Sequence, residues 1–297
     1  MKFETNYTNI LELNLAILFI SSSGVLGKYI DLPVPIIIFS RAFIAGLLLF
    51  VYAKIKKINF KIDFNNRKSL ILGGMFLGAH WLTYFYALKL SNVAIGMLSL
   101  YTFPTITAIL EPIILKKKFH LTHLVLGVVI LFGIYLLAPN FNIKNKHLIG
   151  LCLGLLSALF YSIRNIMLKQ KSGGHNQSIV MLNQLVVISV LLFPTIFYFD
   201  SSNFIEYLPS TSILAILTTA IGHTLFVHSL KYFSTTTASL ISSLQPIYGI
   251  ILGFIFLSES PNLKTTLGGL VIISTVIIEV IRINKLDKNE HTTKYMK

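Results

Sequence analysis

Four side chains in this sequence could do ionic chemistry in an otherwise apolar setting. Arg41 in IIIFSRAFIAGLLL and Arg164 in ALFYSIRNIML each stand inside a hydrophobic run, as do His80 in FLGAHWLTYF and His223 in TTAIGHTLFV. A guanidinium is a fixed fork of donors that matches a carboxylate, and an imidazole exchanges a proton near neutral pH. No apolar run has an acid at its centre; Glu111 and Glu279 stand near run ends. A cationic interior favours a solute that carries a carboxylate, anionic or zwitterionic, over an organic cation.

Other residue types bear on the same chemistry. Trp81, Tyr84 and Tyr86 cluster, either as an aromatic belt at the outer interface or as a cage around a solute. Asn165, Asn183 and Gln184 are amides able to bond a solute or a neighbouring helix. Arg41 also fits a bond to helix carbonyls or a reach towards an interface, and His80 and His223 also fit structural histidines. If the histidines are functional, they suit proton coupling, with Glu111 as a third candidate.

Covalent chemistry has no support. HExxH, paired Asp-rich motifs and G-x-S-x-G are all missing, SSSG at 21–24 is a polar run, and HTLFVH at 223–228 lacks a Glu between its histidines. There is no G-x-x-x-x-G-K-[ST] loop for a nucleotide. Cys152 is alone, which excludes an internal disulfide and a cysteine metal cluster. The expectation is no cofactor, no metal and no enzyme.

These groups need a scaffold that is not surrounded by water. Of 297 residues, 54% are hydrophobic and 12% charged, about half the charge of a wetted globule. The net charge of +14 sits in short loops between apolar runs, so no nucleic-acid partner is expected. A bilayer is crossed by about 20 apolar residues. That ruler gives ten spans: 13–30, 34–53, 69–88, 93–115, 122–138, 148–168, 179–199, 211–230, 235–257 and 264–282, with the eighth and ninth divided at LKYFSTTT.

With the N-terminus inside, the inner segments collect most of the cations, from Lys54 to Lys68, Lys116 to Lys118 and the tail after Arg282, while the outer segments hold few, Lys28 and Lys89 among them. This bias predicts two cytoplasmic termini and a bacterial-type inner (plasma) membrane. The opening MKFETNYTNILELNLAILFISSSG has Glu4 and Glu12 before its apolar core and no small-x-small site after it, so a retained first span is expected.

Two prolines, Pro104 and Pro246, stand in the middle of their spans. Proline removes a donor, which strands the carbonyls of Leu100 and Ser242. Irregular backbone at membrane depth must face protein, water or ligand. With Tyr101 beside the first break, and Ser242, Gln245 and Tyr248 beside the second, both are expected to line a central cavity. Gly74/Gly78, Gly150/Gly154 and Gly249/Gly253 have the spacing for close helix contact.

The stretch YALKLSNVAIGMLSLYTFPTITAILEPIIL from Tyr86 aligns without a gap on HSLKYFSTTTASLISSLQPIYGIILGFIFL from His228, at a constant shift of 142; Lys89 meets Lys231, Pro104 meets Pro246 and Gly127 meets Gly269. A self-match of this kind marks a duplication. Five helices per half make the second copy enter the membrane inverted, an architecture with a site at the midplane between the copies.

On SSSGVLGKYI, FSRAFIAGLLL, YALKLSNVAIGMLSLYTFP and LISSLQPIYGIILGFIFLSESPNLKTTLGGLVI, the chain resembles the drug/metabolite transporter superfamily in its ten-helix form of two EamA-type units, over roughly 12–282. One departure is that the register places Lys117 where the second half has Glu259. The resemblance implies an all-α polytopic membrane protein of two inverted five-helix repeats: a cytoplasmic N-terminus 1–12, a first EamA-type repeat 13–138, an external linker 139–147, a second repeat 148–282 and a basic cytoplasmic tail 283–297. It also implies a secondary carrier for a small polar metabolite, amino-acid-like and exported in preference to imported. Multidrug or organic-cation carriage and nucleotide-sugar carriage are alternatives on that fold. The small multidrug relatives rely on a glutamate within the first helix, and the first span, Leu13 to Ile30, has none.

Overall fold

The computed structural model describes residues 7–61, 64–114, 116, 125, 127–129, 132–133, 135–136, 145–171, 176–229, 232, 242, 244–275, 277–278 and 281. Among these there is helix and no strand. The elements are α1 (Tyr7–Tyr29), α2 (Val34–Ile55), α3 (Phe64–Leu90), α4 (Val93–Leu100), α5 (Phe103–Ile114), α6 (Lys146–Lys171), α7 (Gln177–Leu192), α8 (Thr195–Tyr198), α9 (Phe204–Ile213), a π-helical segment Leu214–His223, α10 (Thr224–Ser229) and α11 (Gln245–Leu257), then α12 (Leu263–Thr275). Seven stretches are long and apolar enough to cross a membrane: Leu11–Tyr29, Val34–Ile55, Arg67–Leu90, Val93–Ile114, Lys146–Leu168, Gln177–Tyr198 and Phe204–Ser229. The protein is therefore a polytopic α-helical membrane protein. The expected span 122–138 lies largely outside the described residues, as does 235–241 at the start of the ninth.

Several helices are apolar on all sides because one face meets protein and the other lipid. In α2, Ala42, Ala45, Leu49 and Ala53 are buried at helical spacing, while Phe43, Leu47, Phe50 and Val51 are exposed on the opposite face. Glycine sets how closely helices approach. A Cβ on Gly154 would lie 1.8 Å from the Ser99 hydroxyl, and one on Gly249 would lie 1.8 Å from the Met97 sulfur. The small-residue pairs thus seat α6 and α11 against α4.

Along α6, Gly150 lies beside Ser91, Gly154 beside Ser99 and Ser157 beside His80. Since α3 runs from Gly73, beside Gln184 and Leu168, to Ala87, beside Gly150, α3 and α6 are antiparallel.

Two departures from the sequence expectation concern α1 and the eighth span. The first helix begins at Tyr7, not Leu13, because Asn and Thr in NYTN do not stop a helix that tertiary packing supports. Glu12 is drawn into it, and its Oε1 lies 2.8 Å from His228 Nδ1. The first helix therefore does hold an acid, at its end. The expected plain helix 211–230 begins at Phe204 and contains a ten-residue π-helical segment.

Candidate functional site

Arg41 sits two turns into α2 and is 1% exposed. Its Nε donates to Thr219 Oγ1 at 2.6 Å, and its guanidinium carbon is 4.0 Å from the Trp81 ring centroid. A desolvated cation–π contact is worth about 2 kcal/mol, which offsets part of the burial cost but supplies no counter-charge. The wide turns of the π-helical segment, a form often found at functional sites, present Thr219 to Arg41. Its neighbour Thr218 bonds back to the Leu214 carbonyl at 2.6 Å.

The two histidines differ. Ser157 Oγ donates to the His80 carbonyl at 2.9 Å and lies 2.7 Å from His80 Nδ1. The serine proton is committed to that carbonyl, so Nδ1 is the donor in the second contact. The His80 ring stacks on Tyr161 at 4.6 Å. His223 closes the π-helical segment, 5.7 Å from Trp81, and its Nδ1 is buried without a hydrogen-bond partner among the described residues.

Helix breaks complete the site. The fourth span is two helices: α4 ends at Leu100, Tyr101 and Thr102 form a turn, and Pro104 stands in the first turn of α5. Pro246 likewise stands in the first turn of α11. A proline at this position costs little, since the first amides of a helix lack partners anyway.

The groups meet at a cavity of about 30 Å³. Of the expected site residues, Arg41, His80, Trp81, Tyr84, Tyr101, His223, Ser242 and Gln245 line it. The prolines are set back from it. Arg164 is buried one helical turn beyond Tyr161, bonded to Asn165 Oδ1 at 3.0 Å and Gln184 Oε1 at 2.7 Å. Asn183 donates to the Ile179 carbonyl of its own helix, Tyr248 packs beside the Leu13 cluster, and Glu111 is half-buried on α5, away from the cavity lining. Trp81 and Tyr84 are 1% and 3% exposed, so of the three clustered aromatics only Tyr86 reaches the surface.

Ile20, Ser23, Met97, Leu100, Phe103 and Tyr161 also line the cavity. The SSSG run was a signal for Ser23, and the turn before Pro104 for Leu100 and Phe103. Tyr161 carried none. Among the described residues no group of His, Cys, Asp and Glu converges as a metal site. A 30 Å³ space admits about two waters.

The chain matches the EamA-like transporter family over residues 9–138 and 148–280. It is 22% identical to an uncharacterized transporter, YxxF, of Bacillus subtilis (strain 168), covering 93% of this chain and 90% of that protein. It is 21% identical to the pseudopaline exporter CntI of Pseudomonas aeruginosa (strain UCBPP-PA14), covering 83% and 86%. A crystal structure 16% identical superposes with a TM-score of 0.66 over 95% of this chain and 99% of that one, which establishes a shared fold. A polar cavity lined by membrane-spanning helices agrees with these likenesses: the chain belongs to the EamA-like transporter family of the drug/metabolite transporter superfamily and is a membrane transporter, not an enzyme.

Proposed function

We propose that the protein is a secondary transporter that moves a small carboxylate-bearing metabolite, amino-acid-like, out of the cell by alternating access. The observation that carries this is Arg41: a buried cation on the cavity wall whose partners among the described residues are a hydroxyl and aromatic rings. A buried charge of this kind costs several kcal/mol unless neutralised, and a solute carboxylate arriving at the cavity would neutralise it.

The architecture behind the proposal is ten helices in two inverted five-helix units, 13–138 and 148–282, joined by an external linker at 139–147, with cytoplasmic termini at 1–12 and 283–297 in a bacterial-type inner membrane. The family match in two stretches, 9–138 and 148–280, supports the two units, and the exporter among the relatives supports the direction. The cavity walls draw on both halves, α1 to α5 on one side and α6, the π-helical segment and the residues around Pro246 on the other. A space of about 30 Å³ is too small for a metabolite, so transport requires the halves to part. His223, with its unpartnered Nδ1, is the coupling group if protons drive the cycle.

The test is a thermal-shift screen of purified protein against amino acids, sugars and lipophilic cations, followed by liposome flux with and without a pH gradient. Carboxylates should stabilise the protein and Arg41→Ala should abolish their flux. Stabilisation by lipophilic cations alone would overturn the proposal.

A further inference from the structure

We infer that the transported solute carries two negatively charged groups, one for Arg41 and a second for Arg164, whose site is walled off from the cavity by Tyr161. The inference rests on the carboxylate-carrier reading above and narrows its substrate class to dicarboxylates.

Arg164 is 2% exposed. Both of its hydrogen bonds go to neutral amides, Gln184 and Asn165, and its Nε is buried without a partner among the described residues. A guanidinium can only donate, so the Gln184 oxygen must face it and the amide nitrogen must face away. That nitrogen, in a side chain fully buried, also lacks a partner. The Gln184 nitrogen packs against Gly73 of α3, where a Cβ would lie 2.9 Å from it, so the donor left for a ligand is Arg164 Nε, and a donor left unfilled costs its full desolvation. An incoming acceptor with spare lone pairs, such as a carboxylate, would fill it.

The charge distribution points the same way. Among the described acids, Glu12 pairs with His228, Asp31 with Lys89 and Glu259 with the Val93 amide. Neither Arg41 nor Arg164 has an ion-pair partner among the described residues, and His80 and His223 each lie within electrostatic reach of both arginines. A solute with one carboxylate would leave a second buried guanidinium uncompensated. The partition between the two is a single ring: Tyr161 lines the cavity, and its centroid lies 6.0 Å from the Arg164 guanidinium carbon. Arg164 follows Tyr161 by three residues, on the same face of α6. Rotation of that ring would join the two anion sites into one pocket.

The experiment is calorimetric titration of the purified full-length protein with pairs of like shape: L-glutamate against L-glutamine, and glutarate against butyrate, the second pair removing the ammonium group. The dianionic member of each pair should bind at least about tenfold tighter. Arg164→Gln should erase that preference. Gln184→Glu, which keeps the shape of the side chain and supplies Arg164 with a resident carboxylate, should reduce the preference by about threefold or more and guards against a misfolded arginine variant. Equal binding within both pairs, or a preference that survives both substitutions, would overturn the second site while leaving a monocarboxylate carrier in place. No binding by any of the four probes would overturn both.

Discussion

The two ends of the helix bundle are fastened in different ways. At one end Lys28, on α1, donates through Nζ to the carbonyls of Leu88 and Ser91, at 2.9 and 2.6 Å, just where α3 finishes. Lys89, on α3, donates in return to the carbonyl of Ile30, where α1 finishes, and pairs with Asp31 at 3.8 Å. Each lysine thus caps the C-terminus of the other's helix, where carbonyls lack partners and the helix dipole is negative. Glu259 Oε2 accepts the Val93 amide at 2.8 Å, at the positive start of α4, beside the Asn92 cap that accepts from Ile95. Roughly 24 Å away along α1, the ion pair among the described residues is Glu12–His228, beside the apolar cluster of Leu13, Ala16, Ile17, Phe226 and Val227. The end with crossed caps is held by several charge-assisted bonds; the other, among the described residues, by one ion pair and apolar packing. Among the described residues the polar fastening is thus denser at the Lys28 end than at the Glu12 end.

The most damaging way to break this comparison is the double variant Lys28→Ala, Lys89→Ala. Hydrogen bonds from charged groups contribute about 1.5–3 kcal/mol each, so the double variant should lose about 3–5 kcal/mol of stability, read as a large drop in melting temperature in detergent. In the same background a cysteine at Ser23, on the cavity wall, should become reactive to an impermeant maleimide added from the Lys28 face. Next comes Gly154→Ala, which drives a Cβ into Ser99 and should cost about 1–3 kcal/mol as overpacking. Ser99→Gly should restore most of it, because the clash is with that one side chain. Glu259→Ala follows, at about 1–2 kcal/mol for a lost helix cap. Glu259→Gln should recover much of that, since the amide oxygen can still accept from Val93.

How far this arrangement could be seen in the sequence depends on the kind of signal each residue carried. Arg41, His80 and His223 stood out because a charged or titratable group in an apolar run has few places to go. Pro104 marked the break between α4 and α5 because proline acts on the backbone whatever surrounds it. Tyr161 and Met97 were invisible, since an aromatic or a methionine in a helix apolar on every face has no periodicity to say which neighbour it meets. The π-helical segment was hidden too, because LAILTTAIGH has nothing that separates it from an ordinary helix. The crossed lysine caps looked like loop charges, as their function depends on which helix ends lie side by side. Glu12 was placed outside the first span for a related reason: its partner His228 is 216 residues away, so the contact that keeps it in the helix leaves no local trace.

The smallest effect is expected at the Glu12 end, and it is the most discriminating. Glu12→Gln keeps the shape of the side chain and removes its charge. With side-chain exposures of 25% for Glu12 and 40% for His228, water and salt screen the pair, and such contacts are worth about 0–1 kcal/mol. The melting temperature should barely move. Accessibility should change more: with the ion pair between α1 and α10 weakened, the Ser23 cysteine should label faster from the Glu12 face and no faster from the Lys28 face. A stability loss as large as that of the lysine double variant would mean the two ends are fastened equally, and labelling that rises from both faces would mean the bundle loosens as a whole and does not hinge open at one end.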